Sequence, residues 1–225
     1  MDVTQITGVL LIFLPIAFNL LFFMLQRSFE YPDILRKPTD YILRQFNAGG
    51  SRLILTWYSF ALTGLLFIPM AILMNQVLVG DSLPYMALAT TVGVLAGLVQ
   101  FFGLIRWTFL VPYLARTYFE EGTTAATRDS IAVTFQAFHR FAGMAIGEHL
   151  GYLCTSVWTA LVALAITQSS QFTPWIGWLG FIPALGIFIG LFEEAGFKPA
   201  ALINANSYIL WSVWLIVLGV SFLLR

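Results

Sequence analysis

Residues 53–78 read LILTWYSFALTGLLFIPMAILMNQVL, a run without one charged side chain that begins directly after Arg52. A bilayer core of roughly 30 Å is crossed by about 20 residues of helix. A backbone in lipid must satisfy its own hydrogen bonds, which makes this run a membrane helix and not a strand. Working outward, five more runs meet the same requirement: 8–26, 83–105, 141–167, 174–192 and 201–224. The first run has the position of a signal peptide. However, Asp2 replaces the usual basic start, no small-residue cleavage site follows, and Arg27 closes it, so it is read as a mature span.

Composition agrees. The chain has 225 residues, of which 59% are hydrophobic and only 10% charged. A soluble domain carries about 25% charged residues to hydrate its surface, so lipid is the solvent for much of this chain. Little sequence remains outside the spans, which predicts one helical membrane domain over residues 1–225. The single Cys154 excludes an internal disulfide framework. Without a basic stripe outside the membrane, nothing in the sequence points to nucleic acid binding.

Lys and Arg accumulate in cytoplasmic loops. With six spans, segments 27–52, 106–140 and 193–200 share one side and hold ten of the eleven basic residues; Arg225 is the exception. Adding or dropping a span destroys that asymmetry. The predicted fold is an all-α, six-helix polytopic bundle with both termini on the non-cytoplasmic side.

Two cytoplasmic connections carry structure of their own. Pro38 and Thr39 offer a helix start and Gly49-Gly50 a stop, with Tyr41, Ile42 and Phe46 alternating with polar residues between them. This predicts a short amphipathic helix in the headgroup plane, serving as an anchor or as a lid. The third span is expected to continue past Arg106 through Pro112 to Phe119 and end at Gly122. Thr123 or Thr124 then caps a helix leading through Phe138 into the fourth span, forming an extended cytoplasmic hairpin. Pairs such as Gly93/Gly97, Gly143/Gly147 and Gly186/Gly190 read as close helix packing. Pro15, Pro69 and Pro183 end similar Phe-x-Pro runs, either shaping an outward vestibule or merely kinking their helices.

Ionisable residues within spans are costly and face the bundle interior or water. Here they gather at the cytoplasmic ends: Arg106, His139, Arg140, Glu148, His149, Glu193 and Glu194, joined by the polar amide Asn204, with Asn19 and Gln100 deeper. At 100° per residue, Glu148, Tyr152, Thr155 and Thr159 share one stripe of the fourth span. The candidate ligand-binding set is therefore Glu148, His149, Tyr152, Arg106, Arg140, Glu193, Glu194 and Asn204. The alternative is structural, with the hydroxyls bonding preceding carbonyls and Glu148 paired with Arg106 or Arg140. No zinc or iron–sulfur spacing is present, and no cofactor is assigned. A mixed metal site of Glu148, His149 and a carboxylate of the fifth span is the residual metal reading. A Gly49-Gly50-Ser51 turn beside Arg52 either grips a headgroup phosphate or simply caps a helix.

The runs Phe29-Glu30-Tyr31-Pro32-Asp33-Ile34-Leu35-Arg36, Phe46-Asn47-Ala48-Gly49-Gly50, Val111-Pro112-Tyr113-Leu114-Ala115-Arg116 and Gly147-Glu148-His149-Leu150-Gly151-Tyr152 resemble bacterial membrane proteins of the family catalogued as domain of unknown function 4386. The resemblance covers nearly the whole chain. It implies a six-helix protein of a bacterial plasma membrane and carries no catalytic residues to transfer. Three functional readings follow. The first is binding or passage of a small polar solute, proton or lipid headgroup. The second is a membrane enzyme using Glu148 and His149, and the third a structural or sensing partner of another membrane protein.

Overall fold

A computed structural model describes residues 1–78 and 83–224. Among the described residues there is no strand, and six helices are long and apolar enough to cross a membrane. Arg225, the basic residue assigned to the opposite side, lies outside the described residues.

Helix α1 spans Val3–Phe29 and ends with Arg27 in its last turn. A turn whose Tyr31–Pro32 peptide is cis leads into a 3-10 turn, Asp33–Arg36. Helix α2 covers Thr39–Leu78, but Gly50 interrupts it with φ 53° and ψ −152°. That conformation is open to glycine and essentially closed to residues bearing a Cβ. The expected short helix and the second span are thus distinct pieces, joined at the expected glycine pair.

The hairpin also forms as expected. Helix α3, Met86–Phe119, carries Pro112 inside it, and the chain turns at Gly122 with φ 85°. Helix α4, Ala125–Phe138, is capped by Thr124, whose hydroxyl accepts from the Thr127 amide at 3.2 Å. That is the ordinary role of threonine at a helix N-cap. The turn is tied further by Arg128 Nε, which donates to the Tyr118 carbonyl at 3.2 Å.

One stretch departs from the expected regular winding. His139–Leu150 is a twelve-residue π-helix, followed by α5, Gly151–Gln168. A π-helix closes i→i+5 rings and packs more residues into each turn. The uniform 100° step therefore does not apply from His139 to Leu150, and regular winding resumes at Gly151, ahead of Tyr152, Thr155 and Thr159. Helix α6 covers Pro174–Ile189 and α7 covers Ala200–Leu223. Pro15, Pro69, Pro112 and Pro183 all lie within helices that continue past them.

The chain divides into two compact units whose limits fall inside helices. One comprises residues 1–16, 64–99 and 149–225. Its buried centre holds Phe67, Trp158 and Trp211, with Phe67 edge-on to Trp158 at 4.8 Å. Small residues let its helices approach closely. A Cβ on Gly93 would stand 2.6 Å from Trp158, and one on Gly190 would stand 2.2 Å from the Asn204 amide. The other unit comprises residues 17–63 and 100–148. It centres on Trp57 and Trp107, whose indoles stack at 4.7 Å and 12°, with Phe29, Phe46 and Phe135 packed in the same cluster.

A buried arginine cluster

The unit of residues 17–63 and 100–148 contains the densest polar chemistry. Arg106 lies on α3 beside Trp107, a residue that anchors the aromatic core, and is only 8% exposed. Its guanidinium carbon sits 5.2 Å from the Trp107 ring centroid, a cation–π distance. One guanidinium nitrogen donates to the Gly103 carbonyl of the same helix. The other meets His139 Nδ1 at 3.5 Å. A guanidinium can only donate, so Nδ1 accepts and the imidazole is neutral, with its proton on Nε2.

Two glycines make room for this arrangement. A Cβ on Gly143, in the π-helix, would lie 2.4 Å from Arg106 Nη2. The guanidinium therefore rests directly on backbone. Gly103 and Gly147 bring α3 against the π-helix, since a Cβ on Gly103 would lie 2.5 Å from Gly147 Cα. Here glycine spacing that reads as packing alone also clears space for a charge.

Glu148 is half-buried at the end of this unit, and it interacts electrostatically with both Arg106 and the Tyr31 phenol. Tyr31 keeps part of its surface open while its phenol end is enclosed, edge-on to Trp57 at 5.2 Å. Burial raises the Tyr31 phenol above its ordinary value, the Glu148 charge adds to that rise, and Arg106 opposes it. Trp57 is fully buried, and its indole N–H has no hydrogen-bond partner among the described residues. Such a donor ordinarily finds one when buried. His139 is also buried and stacks on Phe135 at 5.7 Å and 7°. The cluster thus offers a guanidinium, a carboxylate, a phenol, a neutral imidazole and an unpaired indole donor.

The other candidate residues are distributed as follows. Arg140 is exposed, though its charge reaches His139. His149 is exposed, and with Tyr152, Glu193, Glu194 and Asn204 it belongs to the other unit. There Tyr152 packs on Tyr208 at 5.9 Å, Glu193 is half-buried and Glu194 is exposed. Asn204 is buried and donates to the Ile187 carbonyl at 3.1 Å. Thr159 donates to the Thr155 carbonyl and accepts from Trp211 Nε1 at 2.8 Å, while Ser156 bonds back to Leu153. The hydroxyls of α5 are therefore engaged in helix and interhelix bonds. Among the described residues, no group of three His, Cys, Asp or Glu side chains is placed to hold a metal ion.

Tyr31, Trp57 and Trp107 were not among the candidate residues. Tyr31 follows α1 by two positions in a polar loop, Trp57 looks like an ordinary span residue, and Trp107 falls just past the third span. Only the pairing of distant segments brings them into one unit with Arg106.

No curated protein and no solved structure matches the chain. The sequence model of one family matches residues 6–219, nearly the full length, and the chain belongs to that family, described as Domain of unknown function (DUF4386).

Proposed function

We propose that this multi-pass membrane protein binds a small polar solute at the cluster of Arg106, Glu148, Tyr31, His139 and Trp57. The observation that carries the proposal is a buried guanidinium seated on glycine backbone and over Trp107, whose stacked neighbour Trp57 is a fully buried indole with an N–H unpaired among the described residues. Ionisable groups inside a membrane bundle mark ligand or ion pathways. Donors dominate the cluster, which favours a solute presenting an oxygen acceptor, such as a carboxylate or phosphate. Glu148 balances the Arg106 charge and sets the site's polarity. The distribution of Lys and Arg supports a cytoplasm-facing site and termini on the opposite side of a bacterial plasma membrane.

The test uses the purified full chain in detergent and thermal unfolding against a fixed panel of acetate, succinate, inorganic phosphate and neutral amino acids. A solute present at 100 times its Kd stabilises by about 2.7 kcal/mol. Stabilisation of the native chain by at least one solute, lost in Arg106→Gln, is the expected result. If no panel member stabilises the native chain, or if the variant responds equally, the site is structural and the proposal is wrong.

A further inference from the structure

A second site lies away from Arg106, where the end of α1 meets the Gly50 break in α2. A groove of about 390 Å³ opens there, with Arg27 and Arg52 at its polar end and Phe23, Met24 and Leu53 along its wall. The two arginines close the first apolar run and open the second, which is the level at which snorkelling cations meet headgroups. Both are exposed, and neither has an acidic partner among the described residues. The Arg27 guanidinium carbon sits 4.5 Å from the Phe23 ring centroid, which holds the fork over the apolar wall. The groove's two hydroxyls are already committed. Ser28 donates to the Met24 carbonyl at 2.7 Å and Thr56 to the Arg52 carbonyl at 2.9 Å. The guanidinium groups are therefore the side-chain donors left to meet a ligand.

We propose that this groove holds an anionic phospholipid, its phosphate bridged by Arg27 and Arg52 and an acyl chain lying along Phe23, Met24 and Leu53. Guanidinium forks match phosphate oxygens in bidentate geometry. The apolar wall selects a lipid over a free anion, because dissolved phosphate gains nothing from Phe23 or Met24. The occupant thus follows from charge complementarity at one end of the groove and apolar surface along the rest.

The experiment is native mass spectrometry of the full chain in detergent, titrated with dioleoyl phosphatidylglycerol, dioleoyl phosphatidylcholine or inorganic phosphate. One phosphatidylglycerol should be retained in preference to phosphatidylcholine, and inorganic phosphate should not displace it. A basic residue near an anionic lipid surface contributes about fivefold in affinity, so R27Q/R52Q should weaken that tightest site roughly 25-fold. The charge-matched variant K37Q/K198Q, which removes exposed lysines outside the groove, should leave it unchanged. Equal loss in both double variants would show a diffuse charge effect and overturn the proposal. Displacement by inorganic phosphate would reassign the site to a free anion and overturn it too. Should R27Q/R52Q not fold, the native chain decides the matter: equal retention of the two lipids refutes the proposal.

Discussion

Adding one methyl group at Gly103 tests whether α3 and the π-helix meet as closely as described. The new Cβ would stand 2.5 Å from Gly147 Cα and 3.1 Å from the Ala142 carbonyl oxygen. Both obstacles are backbone, so no side chain can swing aside. Carbon atoms pack best at about 3.5–4.0 Å, which requires the two segments to part by about 1 Å. Overpacking of this kind costs about 1–3 kcal/mol, with backbone obstacles at the upper end. Alanine's better helix propensity offsets up to about 1 kcal/mol, leaving a net loss of about 2 kcal/mol. For a chain of this size, 1 kcal/mol moves the midpoint by about 2–4 °C, so Gly103→Ala should melt about 4–8 °C below the native protein. The assay is thermal unfolding in detergent followed by near-UV circular dichroism. Gly122→Ala is the control: its φ is 85°, but nothing lies within 4 Å of the added Cβ. It incurs only the left-handed backbone penalty of about 1–2 kcal/mol, without separating helices. A Gly103→Ala protein that melts at or above the native temperature would refute the close approach.

Two more outcomes follow from hydrogen bonding and burial. Thr159→Val leaves the buried Trp211 N–H without its acceptor and should cost about 1–3 kcal/mol, whereas Ser156→Ala removes only a bond within its own helix and should cost less. Equal melting temperatures for these two variants would remove the interhelical bond from the account. At alkaline pH, the raised Tyr31 phenol makes the folded state hold its proton longer than the unfolded chain does. Its contribution to stability is complete below about pH 10, the unfolded value, and is lost as pH climbs toward the folded value. Phenolate absorbance during alkaline titration should show one fewer late-titrating phenol in Tyr31→Phe, and an unchanged count would count against its burial.

The spans and the hairpin were legible because their signals are local. Gly122 and Thr124 announce a turn and a cap in the immediate chain, and an apolar run of sufficient length declares a membrane helix regardless of its neighbours. Gly50 was legible as a break for the same reason. The π-helix was not, since His139–Leu150 has nothing in its composition that separates i→i+5 from i→i+4 closure. Part of the cluster was visible: Arg106 and Glu148 stood out as charges inside apolar sequence. Tyr31 and Trp57 did not, because their role depends on segments far apart in sequence meeting one another. Asn204 was singled out as polar, but its bond to the Ile187 carbonyl reflects helix packing that spacing alone does not reveal.

The near-parallel pair of Trp57 and Trp107 has an optical consequence. Two indoles 4.7 Å apart and 12° from parallel share their excited states, and one of them adjoins Arg106 while the other carries the unpaired N–H. A solute that accepts that proton, or that shifts the guanidinium, changes the local field of the coupled chromophore. The protein therefore carries a label-free reporter at the cluster itself, and occupancy is readable as a change in ultraviolet ellipticity or indole emission without any attached dye.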